Sequence, residues 1–209
     1  MRVWLPDRPG ALGQVASRIG AVRGDVVGIE ILERGGGSAI DELIVVLPDD
    51  VTMDLLLAEI RQVDGVAVED VRPIDPDRPE AAIASLELAA ALVETAPDKR
   101  LELFCEQLQR LVDGEWAIAL RSDGAAVVER GQPPDSGWLA AFFEGSRHIT
   151  SCDHEHSAPG DMVWTHLDAH CISVAAGRSH RPFHTRERQL VALLGRVADG
   201  MLPTAFDRP

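Results

Sequence analysis

The chain has 209 residues, 45% hydrophobic and 26% charged, enough for one large or two small globular domains. Its formal net charge of −14 repels polyanions at long range, so neither nucleic acid nor an anionic membrane surface is an expected partner. No apolar run approaches the ~18–20 residues that span a bilayer. The opening Met1-Arg2-Val3-Trp4 lacks an export signal, and three cysteines cannot form a disulfide framework, so the expected location is the cytoplasm.

Short elements alternate through the first 74 residues. Val3-Trp4-Leu5 is a brief apolar strand, and Asp7-Arg8-Pro9-Gly10 is a turn, because proline fixes φ and glycine admits φ > 0. Leu12, Val15, Ala16 and Ile19 fall at i, i+3, i+4 and i+7, one buried helix face that Gly24 terminates. Val26 to Leu32 is β-branched and apolar, Gly35-Gly36-Gly37-Ser38 reads as a hairpin turn, and a second strand runs from Ile40 to Leu47. Asp41-Glu42 and Asp49-Asp50 read as solvated strand ends. Thr52 is placed to cap a helix whose stripe is Met53, Leu56, Leu57 and Ile60, and Val66, Val68 and Val71 supply a last strand. The order βαββαβ predicts a ferredoxin-like α+β domain, an antiparallel sheet with two helices on one face.

A polar, proline-rich stretch, residues 75–79, reads as a linker. Beyond it the pattern predicts helices over Glu80–Glu94 and Asp98–Val112, the latter burying Leu101, Phe104, Leu108 and Leu111. Strands follow at Trp116–Leu120 and Ala125–Arg130, then helical residues around Trp138–Phe143. A hairpin is expected from Asp161–Leu167 and Cys171–Gly177, turning at Asp168-Ala169. The final helix has Thr185 as its expected cap, Glu187 in its first turn, and Leu190, Leu193, Leu194, Val197 and Met201 spaced for burial. The order ααββαββα predicts an α/β sandwich.

The turn Asp7-Arg8-Pro9-Gly10-Ala11-Leu12, with Gly24-Asp25-Val26 after the helix, resembles the ACT domain family over residues 1–74. The resemblance implies a regulatory module that binds an amino acid across a homodimer interface. It implies a ligand site formed by Asp7, Arg8, Pro9, Gly10, Ala11, Leu12, Asp25 and Val26. Physically, the unpaired N–H groups of a helix N-terminus suit a carboxylate, and aspartate, acceptor-only when ionised, suits an ammonium. A dimerisation domain without ligand is the alternative.

Within a second domain over residues 80–209, about residues 80–205 resemble a GAF domain through Val174-Ala175-Ala176-Gly177-Arg178, then Arg181-Pro182-Phe183-His184-Thr185, then the leucine-rich terminal helix. No specific ligand is carried over with that likeness. The cations Arg178, Arg181, Arg186 and Arg188 could recognise an anion or form a solvated loop.

One further constellation could carry chemistry: Cys152-Asp153-His154-Glu155-His156 preceding His166-Leu167-Asp168-Ala169-His170-Cys171. Cysteine and histidine are zinc ligands, and His166 and His170 share one side if the hairpin turn lies between them, but neither CxxC nor HExxH spacing is present. The expectation is a non-enzymatic amino-acid sensor with no cofactor and no metal, with an unidentified enzyme as a possible target. The alternatives are a metal-dependent enzyme built on 152–171, or a regulatory subunit acting through protein contacts alone.

Overall fold

A computed structural model describes residues 1–75, 77–146 and 160–203. The chain is α+β and divides into two compact units, Met1–Pro76 and Asp77–Pro209.

The first unit runs β1 (Arg2–Pro6), α1 (Ala11–Ala21), β2 (Asp25–Gly35), β3 (Ser38–Val46), α2 (Met53–Ile60) and β4 (Ala67–Asp70). All its strand pairs are antiparallel, in the order β2-β3-β1-β4, which leaves β2 and β4 as the edges. Gly36 and Gly37 close the β2–β3 hairpin with φ of 60° and 82°. Two consecutive positive φ values match the twist of a two-residue hairpin, and glycine adopts them without a Cβ clash. The helices cover one face, where Val3, Leu5, Val15, Ile19, Leu43 and Ile60 form the core. The expected Ala16 is exposed, and Ala11, one turn from Val15, is buried in its place. Thr52 does cap α2, its Oγ1 accepting from Leu55 N at 3.3 Å. The last strand stops at Asp70, short of Val71.

The second unit runs α3 (Ala81–Glu94), α4 (Arg100–Leu111), β5 (Trp116–Arg121), β6 (Ala126–Arg130), α5 (Ser136–Ser146), β7 (Met162–Leu167), β8 (Ile172–Gly177) and α6 (Thr185–Met201). A 3-10 turn over Pro97–Lys99 delays the start of α4 relative to the sequence expectation. The antiparallel sheet has the order β6-β5-β8-β7, and every residue of the inner strand β8 is buried. On one face Phe104, Leu108, Val174, Val191 and Leu194 join the sheet to α3, α4 and α6. On the other, Ile118, Leu120, Leu139, Phe143, Met162 and Ala175 join it to α5.

Helix α6 departs from expectation twice. His184 is its N-cap: its side chain accepts from the backbone N–H of Glu187, and the Glu187 carboxylate accepts from His184 N at 3.1 Å. Thr185 is instead the first helical residue. The buried face is Val191, Leu194, Gly195 and Ala198, whereas Leu193 and Val197 are exposed.

Gly195 lets α6 lie close against β7, because a Cβ built there would overlap the Thr165 side chain. Gly195→Ala should therefore destabilise the protein by about 1–3 kcal/mol. Gly200→Ala, where a Cβ meets nothing within 4 Å, should be neutral or stabilise by up to ~1 kcal/mol. Thermal unfolding of the two variants checks the contrast; equal effects would contradict the close approach.

Candidate functional site

The β1–α1 loop leaves β1 at Pro6 beside the hairpin, and Asp7 N donates to Gly37 O at 3.0 Å. Asp7, Arg8, Pro9 and Gly10 are exposed, Ala11 is buried and Leu12 half-buried. Gly10 is the N-cap of α1 with φ 87°, and no side chain caps the helix. The first turn thus presents backbone N–H groups with the positive end of the helix dipole behind them.

Beside this loop lies a group the sequence reading missed. Asp41 has an exposure of 3% and pairs through its backbone with Val3 on one side and Ile31 on the other. It is a mid-strand residue, not a solvated strand end, and its Oδ1 is buried without a hydrogen-bond partner. Burial raises the carboxyl above the ordinary carboxylate range; the Arg34 guanidinium opposes that and the neighbouring Asp7 charge adds to it. Arg34, next to the hairpin, and the exposed Ile29 and Ile31 on β2 complete the neighbourhood. The available signal was strand parity: Asp41 shares the alternation of the inward-facing Ala39 and Leu43.

Asp25 and Val26 are not part of this cluster within one chain. Asp25 begins β2 opposite Val46, while Asp7 sits at the hairpin where β2 ends. An 11-residue strand separates the two ends, roughly 30 Å at ~3.3 Å per residue.

In the second unit the arginine-rich loop turns inward. Arg178 is 1% exposed. Its Nε donates to Arg181 O (3.1 Å), Nη1 to Val112 O (2.6 Å), and Nη2 to Pro182 O (2.9 Å) and to both Glu187 carboxylate oxygens (2.8 and 3.0 Å). The guanidinium carbon also stands 3.7 Å from the Phe183 ring centroid. Arg181 Nη2 donates to Asp113 Oδ2 at 2.6 Å, and Arg188 Nη1 to Met162 O at 3.0 Å. Neither expected role fits the buried Arg178 and Arg181, which spend their donors on internal acceptors: Arg178 clasps the loop to Glu187 at the start of α6, and Arg181 ties it to Asp113, while the half-buried Arg188 joins α6 to β7.

The histidine and cysteine cluster is divided. Cys152, Asp153, His154, Glu155 and His156 lie outside the described residues. His166 faces α5, its Nε2 3.3 Å from Ser146 Oγ and its Nδ1 2.9 Å from Ser173 Oγ. His170 faces α6, its Nδ1 3.0 Å from Asp199 Oδ1. The two histidines therefore sit on opposite sides of the sheet and do not converge, against the expectation of a shared side. Among the described residues no group of three or more His, Cys, Asp or Glu is placed to hold a metal ion. Cys105 is buried and its thiol is pushed up to about 12 by desolvation, which suits packing and not nucleophilic attack.

No family model matches the chain, and no curated protein or solved structure matches it. Among the described residues no helix is long and apolar enough to cross a membrane.

A carboxyl whose pKa is raised on folding binds its proton more tightly in the folded chain. Its contribution to stability is therefore full at low pH and is lost as pH rises through the raised value. Asp41→Asn should raise Tm at pH 7 by a few degrees, the shift that ~1 kcal/mol produces in a domain of this size. That advantage should vanish near pH ~3, below the ordinary Asp pKa of about 3.9. Melting curves at both pH values check this; an equal gain at both would refute the electrostatic origin.

Proposed function

We propose that the chain is a non-enzymatic regulatory sensor, with an ACT-like N-terminal domain that binds a free amino acid and a GAF-like C-terminal domain. The carrying observation is the juxtaposition at one loop of complementary partners for a zwitterion. The uncapped start of α1 at Gly10 offers N–H donors for a carboxylate. The buried Asp41, with an unpartnered Oδ1 and with Asp7 nearby, offers acceptors for an ammonium. The order βαββαβ and the strand order β2-β3-β1-β4 support the ferredoxin-like assignment.

The distance between Asp25 and Asp7 bears on assembly. Strand β2 is an edge with Val27, Ile29 and Ile31 exposed. Antiparallel pairing of β2 with the β2 of a second copy would bring Asp25 of one chain to the Asp7 loop of the other. On this reading the site is shared in a homodimer, and Asp25 and Val26 enter it from the partner.

A thermal-shift screen against the twenty amino acids tests the proposal. A ligand at one hundred times its Kd stabilises the folded protein by about 2.7 kcal/mol, a rise of a few degrees. Gly10→Val should abolish the rise, because a β-branched residue resists the φ of 87° at that position. Asp41→Asn should weaken binding through loss of the ammonium partner, and Asp25→Ala should weaken it without changing the stability of the unliganded protein. Absence of any shift at millimolar amino acid would sink the reading.

A further inference from the structure

Asp41 sets a requirement that not every amino acid meets. It is 3% exposed in the middle of β3, and its Oδ1 is buried without a hydrogen-bond partner. The Arg34 guanidinium is close enough to favour the ionised carboxylate but does not bond Oδ1. By register Asp41 lies opposite Val3 on β1 and Ile31 on β2, and neither side chain can donate to it.

The acceptors at this loop are spread along the strand. Asp7 N is bonded to Gly37 O at the hairpin. Asp41 comes four residues after Gly37, ~13 Å of strand at ~3.3 Å per residue. One ammonium contacts its acceptors at ~3 Å, so it fills one of these carboxylates and leaves the other. The carboxylate end of an amino acid has its own place. Ala11 N is taken by Arg8 O, but the next N–H groups of α1, at Leu12 and Gly13, fall in the first turn, where the helix supplies no acceptor. A Cβ built at Gly10 or Gly13 meets nothing within 4 Å, so the approach to the helix start is open.

The side chain of the bound molecule then decides what Asp41 meets. An apolar side chain would strip the remaining water from a carboxyl group that already lacks a partner, a desolvation cost with nothing to offset it. An acidic one would set like charges beside Asp41 and Asp7. A basic one supplies both the missing donor and the opposite charge. We infer, on the sensor reading of this loop, that the amino acid taken there carries a second cationic group, an amine or a guanidine at the end of its side chain, which pairs with Asp41 while the α-ammonium pairs with Asp7.

Isothermal titration of the full chain with L-lysine, L-ornithine, L-arginine, L-norleucine and L-glutamate tests the class. Norleucine is lysine without the terminal amine. At least one of the three basic ligands should bind about tenfold or more tighter than norleucine, and glutamate should bind no better than norleucine. Asp41→Asn, which removes a buried charge and keeps the fold, should abolish that preference. Asp7→Asn should weaken lysine and norleucine by the same factor, because both present the same α-ammonium to it. A neutral amino acid that binds as tightly as every basic one, or a preference that survives Asp41→Asn, overturns the basic class while leaving an amino-acid site in place. A loss in Asp7→Asn confined to lysine overturns the assignment of the two carboxylates. If none of the twenty amino acids shifts the melt, the sensor reading itself fails and the ligand class falls with it.

Discussion

Successive residues of a strand point to opposite faces, and each face must be covered by what the chain supplies. In the first unit two helices cover one side of the sheet, so alternate positions of β1 and β3 are committed to one core. In the second unit helices lie on both sides, and β8 is buried along its whole length. Most of what distinguishes this protein follows from where a polar or a missing side chain falls in that alternation. Asp41 takes an inward position and stays buried without a partner for Oδ1. Thr165 takes the side facing α6 and requires a glycine opposite it. His166 takes the side facing α5, whereas His170 lies beyond β7, in the turn before β8, and reaches Asp199 of α6.

The arginine-rich loop shows how an interior can use charge. Arg178 is fully enclosed, yet its three nitrogens all find acceptors and its flat face lies on Phe183. A buried cation left unpaired would cost several kcal/mol, so the value of this group depends on completeness. Glu187 serves both ends of the arrangement, accepting from Arg178 and from the N–H that begins α6. The loop geometry and the helix start are therefore a single hydrogen-bonded unit.

Much of the architecture was legible because its signals are local. Periodic apolar residues, the Gly36-Gly37 turn and the Thr52 cap act over a few residues and appear where the sequence places them. The helix over Thr185–Met201 was legible in extent, but its buried face was misassigned. Leucine at 193 looks like a core residue until Gly195, which looks like a flaw, proves to be the point of closest contact. At the candidate site the turn through Gly10 was readable, whereas Asp41 and Arg34 were not, because their relevance depends on which strand neighbours which. Resemblance alone groups Asp25 with Asp7, and only the direction of β2 reveals that one chain holds them apart. The arginines of the loop are legible as charges, but a sequence does not record whether a cation faces solvent or a carbonyl.

Cys105 has a consequence for watching this molecule move. Its sulfur sits in the core of the second unit with the thiol held near 12, so at neutral pH almost no thiolate exists there while the fold is closed. Alkylation at that position requires an opening that admits both water and reagent, and its rate follows the population of the open form when reclosing is fast. The chain thus carries an internal clock for the breathing of one unit, readable by mass on the unmodified sequence, without any introduced probe.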